Sequence, residues 1–366
     1  MEALIRRLLL FVSVLAGFRA GLTGCKEATG VNTHPGPAWV SFNHANGQLS
    51  HDDVRALYTD AENVVWVGTD SGASYFRGGI WSWDVDDITY WVYSNPDTIV
   101  KHTITSITQT LDRSLWFGTY GGGIFRYNEF GPKFIWKQYT IADQLPSDVI
   151  LGLAQSQTPA VGLLGEVWCA TTAGVGHFVP QSNQGGNWTS YDIVNSPLPS
   201  SSVYALAYNY KEYSVWFATY LPVSLIHVDE SDRWTPSTAI PAPYNVTIDA
   251  MAFDLSGILW MGNVNGVWSL NTNTNVWQFL TNASTNGKLP LARVNAVTTN
   301  FSTTRWFGTD AGLVRFEDTT WTTFTHATTP QLPSDTITAL TYDQFGNLWI
   351  GTPDGLAVYN ENGTRF

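Results

Sequence analysis

A short phrase built around tryptophan recurs seven times along the 366-residue chain, and it constrains the fold more than any other feature. The copies are Val65-Trp66-Val67-Gly68-Thr69, Leu115-Trp116-Phe117-Gly118-Thr119, Val167-Trp168-Cys169-Ala170-Thr171, Val215-Trp216-Phe217-Ala218-Thr219, Leu259-Trp260-Met261-Gly262-Asn263, Arg305-Trp306-Phe307-Gly308-Thr309 and Leu348-Trp349-Ile350-Gly351-Thr352. Successive tryptophans lie 43 to 52 residues apart, about 47 on average. That period suits a propeller blade of four short strands. A helical repeat of the same length would need long runs of 3.6-residue periodicity, and none lies between the copies.

Each repeat parses into the same four strands. Ahead of every tryptophan stands an apolar residue, any residue, a small residue and an apolar residue, as in Val54/Ala56/Leu57 and Ile337/Ala339/Leu340. This is the innermost strand, where neighbouring blades crowd a central axis and favour short side chains. A Gly six residues after most of the tryptophans (Gly72, Gly122, Gly174, Gly266, Gly312, Gly355) marks a tight turn into a third strand. The outer strand then opens on another tryptophan: Trp136, Trp188, Trp321 and, more loosely, Trp234 and Trp277. In the first repeat either Trp81 or Trp91 could hold that place. The seventh repeat has no such strand after it, but Trp39-Val40-Ser41-Phe42 stands ahead of the first. The expected fold is an all-β seven-bladed β-propeller of four-stranded antiparallel blades over residues 38–366, its last blade closed by the N-terminal strand.

Composition adds exclusions. Charged residues make up only 13% of the chain and aromatics 14%, the reverse of a disordered chain. The net charge of −12 argues against a general grip on phosphate backbones, so no nucleic-acid partner is expected. No sequence motif for metal, phosphate or nucleophilic chemistry occurs, and no cofactor is called for. Of the 17 tryptophans, seven head the motif strands and seven more fit outer strands, so most of the aromatic content is packing material.

The first 24 residues read as an export signal, with Arg6 and Arg7 ahead of an apolar run from Leu8 to Phe18. Leu22-Thr23-Gly24-Cys25 resembles a bacterial lipoprotein box, which implies lipidation of Cys25, a tether over 25–37 and contact with the membrane through the lipid alone. Lys26 after the Cys favours the outer membrane or cell surface. Cys169 then has no disulfide partner and reads as a buried thiol.

The L-W-x-G-T-x-x-G-L core, with Leu145-Pro146-Ser147-Asp148 and Leu332-Pro333-Ser334-Asp335 ahead of innermost strands, resembles the two-component-regulator propeller repeat family over about 90% of the chain. The resemblance implies an extracytoplasmic sensor region of a bacterial signalling protein, often one that recognises carbohydrate fragments. No membrane span, kinase or receiver segment follows Phe366, so signalling would pass through an envelope partner.

In a propeller the loop entering each innermost strand and the turn after each motif strand open on one face, and binding residues concentrate on such loops. The turns offer Tyr120 and Tyr220 for stacking on a sugar and Asp70 and Asp310 for accepting hydroxyl hydrogen bonds, although a turn Asp also commonly bonds its own backbone. Leu221-Pro222 replaces the usual turn residues and singles out Tyr220. Among the entry loops, Arg293 could hold a carboxylate or sulfate, while Asp148 and Asp335 read as loop caps. An acidic, aromatic insertion occupies residues 81–100. The balance leans toward a binding module over a lyase of streptogramin or polysaccharide type, which shares this architecture, or a structural subunit of an envelope complex.

Overall fold

The structure is a computed structural model, and it describes residues 36–82, 102–128, 135–156, 165–181, 185–220, 222–236, 240, 246–300 and 303–366. Seven four-stranded antiparallel sheets are present. The first blade runs Val54–Thr59, Val65–Thr69, Gly72–Arg77 and Ile80–Ser82, and the pattern repeats through the sixth, which ends at Thr320–Phe324. The seventh combines Ala339–Tyr342, Leu348–Thr352 and Gly355–Tyr359 with Trp39–Phe42, which pairs Trp39 with Tyr359 and Phe42 with Leu356. Closure by the N-terminal strand is therefore as expected. Innermost strands contact their neighbours around a full circle, the first against both the second and the seventh. Trp81, paired with Phe76, lies in the outer strand of the first blade. Cys25, the tether to residue 35, Trp91 and the insertion from residue 83 lie outside the described residues.

The motif residues explain themselves in three dimensions. Each motif tryptophan donates its indole N–H to a side-chain acceptor, buried in all but the partly buried Tyr342: Asp60, Thr110, Ser156, Ser214, Asp254, Tyr342 and Asp343, in blade order. An indole donor buried without a partner would cost about 1–3 kcal/mol, so this bond accompanies the large apolar burial of the ring. In four blades the acceptor stands six residues before the tryptophan, at the start of the turn joining the first two strands. In five blades the motif Thr hydroxyl donates to the carbonyl of the turn glycine, as Thr69 does to Gly72 at 3.0 Å, which ties the turn to the strand it leaves. The second blade departs from the expected glycine: its turn takes positive φ at Gly121 and Gly123, and Gly122 instead packs under the His102 ring.

The small residues have a more specific reason than crowding at the axis. The small innermost residue pairs with the motif glycine or alanine, as Ala56 with Gly68 and Ala296 with Gly308. That pair forms a slot for the first residue of the next blade. A Cβ on Gly68 would lie 2.6 Å from Ile104, and one on Gly351 the same distance from Val54, which carries the contact across the closure. Val54, Ile104, Ile150, Val203, Ile248, Val294 and Ile337 are all fully buried. A blade thus keys into its predecessor with one β-branched wedge.

Polar groups bridge blades as well. Arg305 lies over the Trp260 ring and donates to Asp254 Oδ2 at 2.8 Å, and that carboxylate also receives Trp260. Burial pushes the Asp254 pKa up, but the hydrogen bonds from Arg305, Trp260 and the Ile258 amide outweigh it and hold the group below the ordinary carboxylate value. A depressed folded value means stability that is present above the unfolded pKa near 4 and lost as pH falls through the folded one. Asp254→Asn is therefore expected to cost about 1–3 kcal/mol at neutral pH, with the gap to the parent closing in acid. Melting both proteins at pH 7 and pH 3 checks this; a gap independent of pH would assign the loss to shape alone. His177 and His227 stack on Trp168 and Trp216 at 3.8 and 4.3 Å, as packed imidazoles rather than free bases. Cys169 is completely buried, and that burial pushes its thiol up to about 12. Among the described residues, no helix is long and apolar enough to cross a membrane.

Candidate functional site at the channel mouth

The expected face forms because the motif turns and entry loops are joined by backbone hydrogen bonds. Asp70 N–H donates to Asp53 O, Tyr120 to Thr103 O, Tyr220 to Ser202 O and Asp310 to Arg293 O, at 2.8 to 3.2 Å. All five sequence-predicted ligand residues therefore rim one mouth of the central channel. Asp148 and Asp335 cap loops as expected, accepting from the Ile141 and His326 amides.

The ring of side chains inside that rim is not evident from the sequence. In the first six blades the pairing of the first two strands shifts between the apolar and the small residue, leaving the residue between them out of the ladder. Such a bulge re-aims its side chain. The residues so placed are Arg55, Thr105, Leu151, Tyr204, Asp249 and Asn295, with Thr338 at the matching place in the seventh blade. Thr105, Leu151, Tyr204 and Asp249 line a channel cavity of about 230 Å³ whose deeper wall includes the small residues Ala56, Ser106, Gly152 and Ala205. These bulge positions are the unrestricted place in an otherwise regular phrase, and that contrast is the one signal of them in the sequence.

Bulge and rim residues combine into two arcs. On one side, the Tyr204 and Tyr220 rings sit 5.2 Å apart, each 38% exposed, while Leu151 occupies the bulge position of the blade before and Tyr120, 64% exposed, belongs to the blade before that. Pro222 follows in the distinctive fourth turn, where the third strand resumes only at Ser224; Leu221 lies outside the described residues. On the other side stand charges. Arg55 donates to Asp53 at 2.6 Å and to Asp70 at 3.2 Å. Burial raises the Asp53 pKa and the facing Asp70 carboxylate raises it further. Asp70, itself pushed up by partial desolvation, ends below the usual value because the Arg55 guanidinium donates hydrogen bonds to it and lies beside it as a positive charge. Asn295 donates to Asp310 at 2.7 Å. Arg293, its side chain half exposed, lies 3.6 Å from Asp249. Burial raises the Asp249 pKa, with Asp310 adding to the rise and Arg293 opposing it. Arg293, a cation amid acidic loops as its sequence position implied, is thus already beside one carboxylate. Among the described residues, no group of three or more His, Cys, Asp or Glu side chains is disposed to hold a metal ion.

Comparison with known proteins agrees with this architecture. Residues 48–71 and 331–354 match the two component regulator propeller family model. No curated protein matches the chain. The extracellular domain of a hybrid two-component system from B. thetaiotaomicron is similar at 20% identity and a TM-score of 0.69, over 89% of this chain and 41% of that one. PorZ, a bacterial surface component of the type-IX secretion system of Porphyromonas gingivalis, is similar at 16% identity and 0.63, over 86% of this chain and 47% of its own. This chain thus spans less than half the length of either. Virginiamycin B lyase from Staphylococcus aureus is similar at 15% identity and 0.63, over 88% of this chain and 99% of the lyase. At these identities the likeness shows the fold. The chain is a seven-bladed β-propeller, two segments of which match the two component regulator propeller repeat.

Proposed function

We propose that the protein is an exported, lipid-anchored binding propeller of the sensor type, whose channel mouth takes up an oligosaccharide and whose loaded state is read by an envelope partner. One observation carries this reading: the fold leaves one inner position per blade free, and those bulge residues combine with the turn and entry-loop residues of the rim into an aromatic arc and an ionic, hydrogen-bonding arc. A sugar ring has the same division, an apolar face for Tyr204 and Tyr220 and a hydroxyl rim for Asp70, Asp310, Asn295 and Arg293. The extracellular domain of a two-component system among the similar structures supports an extracytoplasmic setting, and the Leu22–Cys25 box supports the anchor. The alternative is a lyase, favoured by the nearly complete coverage of virginiamycin B lyase by a single ring.

A thermal-shift screen against oligosaccharides tests the reading. A ligand present at 100 times its Kd should stabilise the chain by about 2.7 kcal/mol. Paired Tyr204→Ala and Tyr220→Ala substitutions should weaken that ligand roughly tenfold, given about 0.5–1.5 kcal/mol for each aromatic contact, while leaving the unliganded melting temperature unchanged. Unaltered affinity in the double variant would move the site away from the mouth. Consumption of the ligand during titration would replace binding with catalysis.

A further inference from the structure

A second, larger cavity lies on the face opposite the mouth, where the sixth and seventh blades meet. Its volume is about 490 Å³, within the range of small-molecule sites. Three pieces of chain enclose it: the Trp306 and Arg315 region of the sixth blade, the turn from Asp343 to Gly346, and the final segment from Asn360 to Arg365. The geometry points to a binding site for a neutral, hydroxyl-rich ring such as a hexose or pentose unit.

Four features carry this. First, the Phe345 ring is half exposed at the cavity, and no ring contact engages it among the described residues. The turn that carries it is nonetheless held in place: Asp343 accepts from the Phe345 and Asn347 amides at 2.9 and 3.0 Å, and Gln344 is pinned to Asn63 and Ala61 of the first blade. An exposed aromatic ring on a fixed turn is a stacking platform whose backbone needs no ordering on binding. Second, the Tyr342 hydroxyl accepts from Trp306 Nε1 at 2.6 Å and its own proton is uncommitted among the described residues. Burial pushes this phenol up to about 12, so it remains a donor. Third, the side chains of Asn362 and Arg365 make no hydrogen bond among the described residues, and Glu361 uses only one carboxylate oxygen, on Arg315. Uncommitted donors and acceptors thus line the same cavity as the aromatic ring, a mixture that hydroxyl groups can satisfy. Fourth, charges of both signs share the lining, Arg315 and Arg365 against Asp343, Glu317 and Glu361, and Arg315 is already paired with both glutamates at 2.5 and 2.8 Å. A ligand of either sign would disturb that arrangement, so an uncharged one fits.

This site is independent of the mouth, and saturation-transfer NMR on the full-length chain separates them. The probes are maltose, cellobiose, xylobiose and mannobiose, each against the parent, Phe345→Ala, Asn362→Ala and the Tyr204→Ala/Tyr220→Ala pair. At least one sugar should give a signal that falls at least tenfold in apparent affinity in Phe345→Ala, weakens in Asn362→Ala and survives the mouth substitutions. That pattern stands even if the mouth binds nothing. Signal retained in Phe345→Ala, signal lost only in the mouth variant, or silence from all four sugars would each overturn the assignment. Because Phe345 and Asn362 are both exposed and neither belongs to the buried core, melting temperatures close to the parent's will show that the variants are folded.

Discussion

A chain lacking residues 36–43 is expected to melt on the order of 10 °C below the intact one, to lose its single transition and to self-associate. The removed strand supplies four pairings to Gly355–Tyr359, and the segment ahead of it adds backbone bonds from Thr364 to Pro37 and from Asn360 to Ala38. Phe42 is buried and stacks 6.1 Å from Trp349, while the Trp39 ring sits 4.6 Å from Tyr359 and 5.4 Å from Phe324 of the sixth blade. Two aromatic burials at about 2 kcal/mol each and several hydrogen bonds near 1 kcal/mol place the loss on the order of 5 kcal/mol or more. For a ring of this size that is a shift of roughly the stated magnitude. The exposed edge of Gly355–Tyr359 would then pair with a second molecule, which accounts for the association. Adding a synthetic peptide spanning residues 36–46 should restore the melting temperature and the monomer. Calorimetry and sedimentation check both arms, and a truncated chain that melts with the parent would mean that the ring holds without its closing strand.

The closing strand is legible in the sequence because its absence from the seventh repeat and its presence ahead of the first are two halves of one pattern. The same holds for blade count and strand order, since packing repeats itself and repetition is visible in one sequence. The mouth is legible only in part. Tyr120, Tyr220, Asp70, Asp310 and Arg293 stand at fixed offsets from the motif, so their common face follows from the repeat. Arg55, Tyr204 and Asp249 also hold one fixed place in the repeat, between the apolar and the small residue, but that place has no residue preference and only the bulge in the pairing shows that it faces the channel. Pairings such as Asp249 with Arg293, 44 positions apart in adjacent blades, depend on how strands are set side by side. The cavity beneath Phe345 is wholly hidden, for it is assembled from three segments that no periodicity connects. Function follows the same division. Residues that repeat hold the blades together, and residues that break the repeat are free to recognise something.

Trp349→Ala should be the most damaging single substitution, at about 3–5 kcal/mol, because this side chain serves packing, hydrogen bonding and closure together. It is fully buried, and its ring contacts Phe42 of the closing strand and Phe76 of the first blade, 6.1 and 5.2 Å away. Removing it opens a cavity at the junction where the ends of the chain meet. Its indole also donates to Asp343 Oδ2 at 2.9 Å, and the same carboxylate receives Asn347 Nδ2 and the amides that shape the Phe345 turn. Trp349→Phe separates the two contributions. It retains most of the apolar volume but withdraws one donor from a buried carboxylate, so about 1–3 kcal/mol of the loss should remain. Because Asp343 anchors the turn bearing Phe345, Trp349→Phe should also loosen hydrogen exchange at Gln344–Gly346 while leaving the mouth amides of Asp70 and Tyr220 protected. Urea melts of both variants measure the energies, and exchange by residue locates the disturbance. Equal losses in the two variants would assign the whole effect to the indole hydrogen bond, whereas an undisturbed Phe345 turn would mean that Asp343 holds it without help from Trp349.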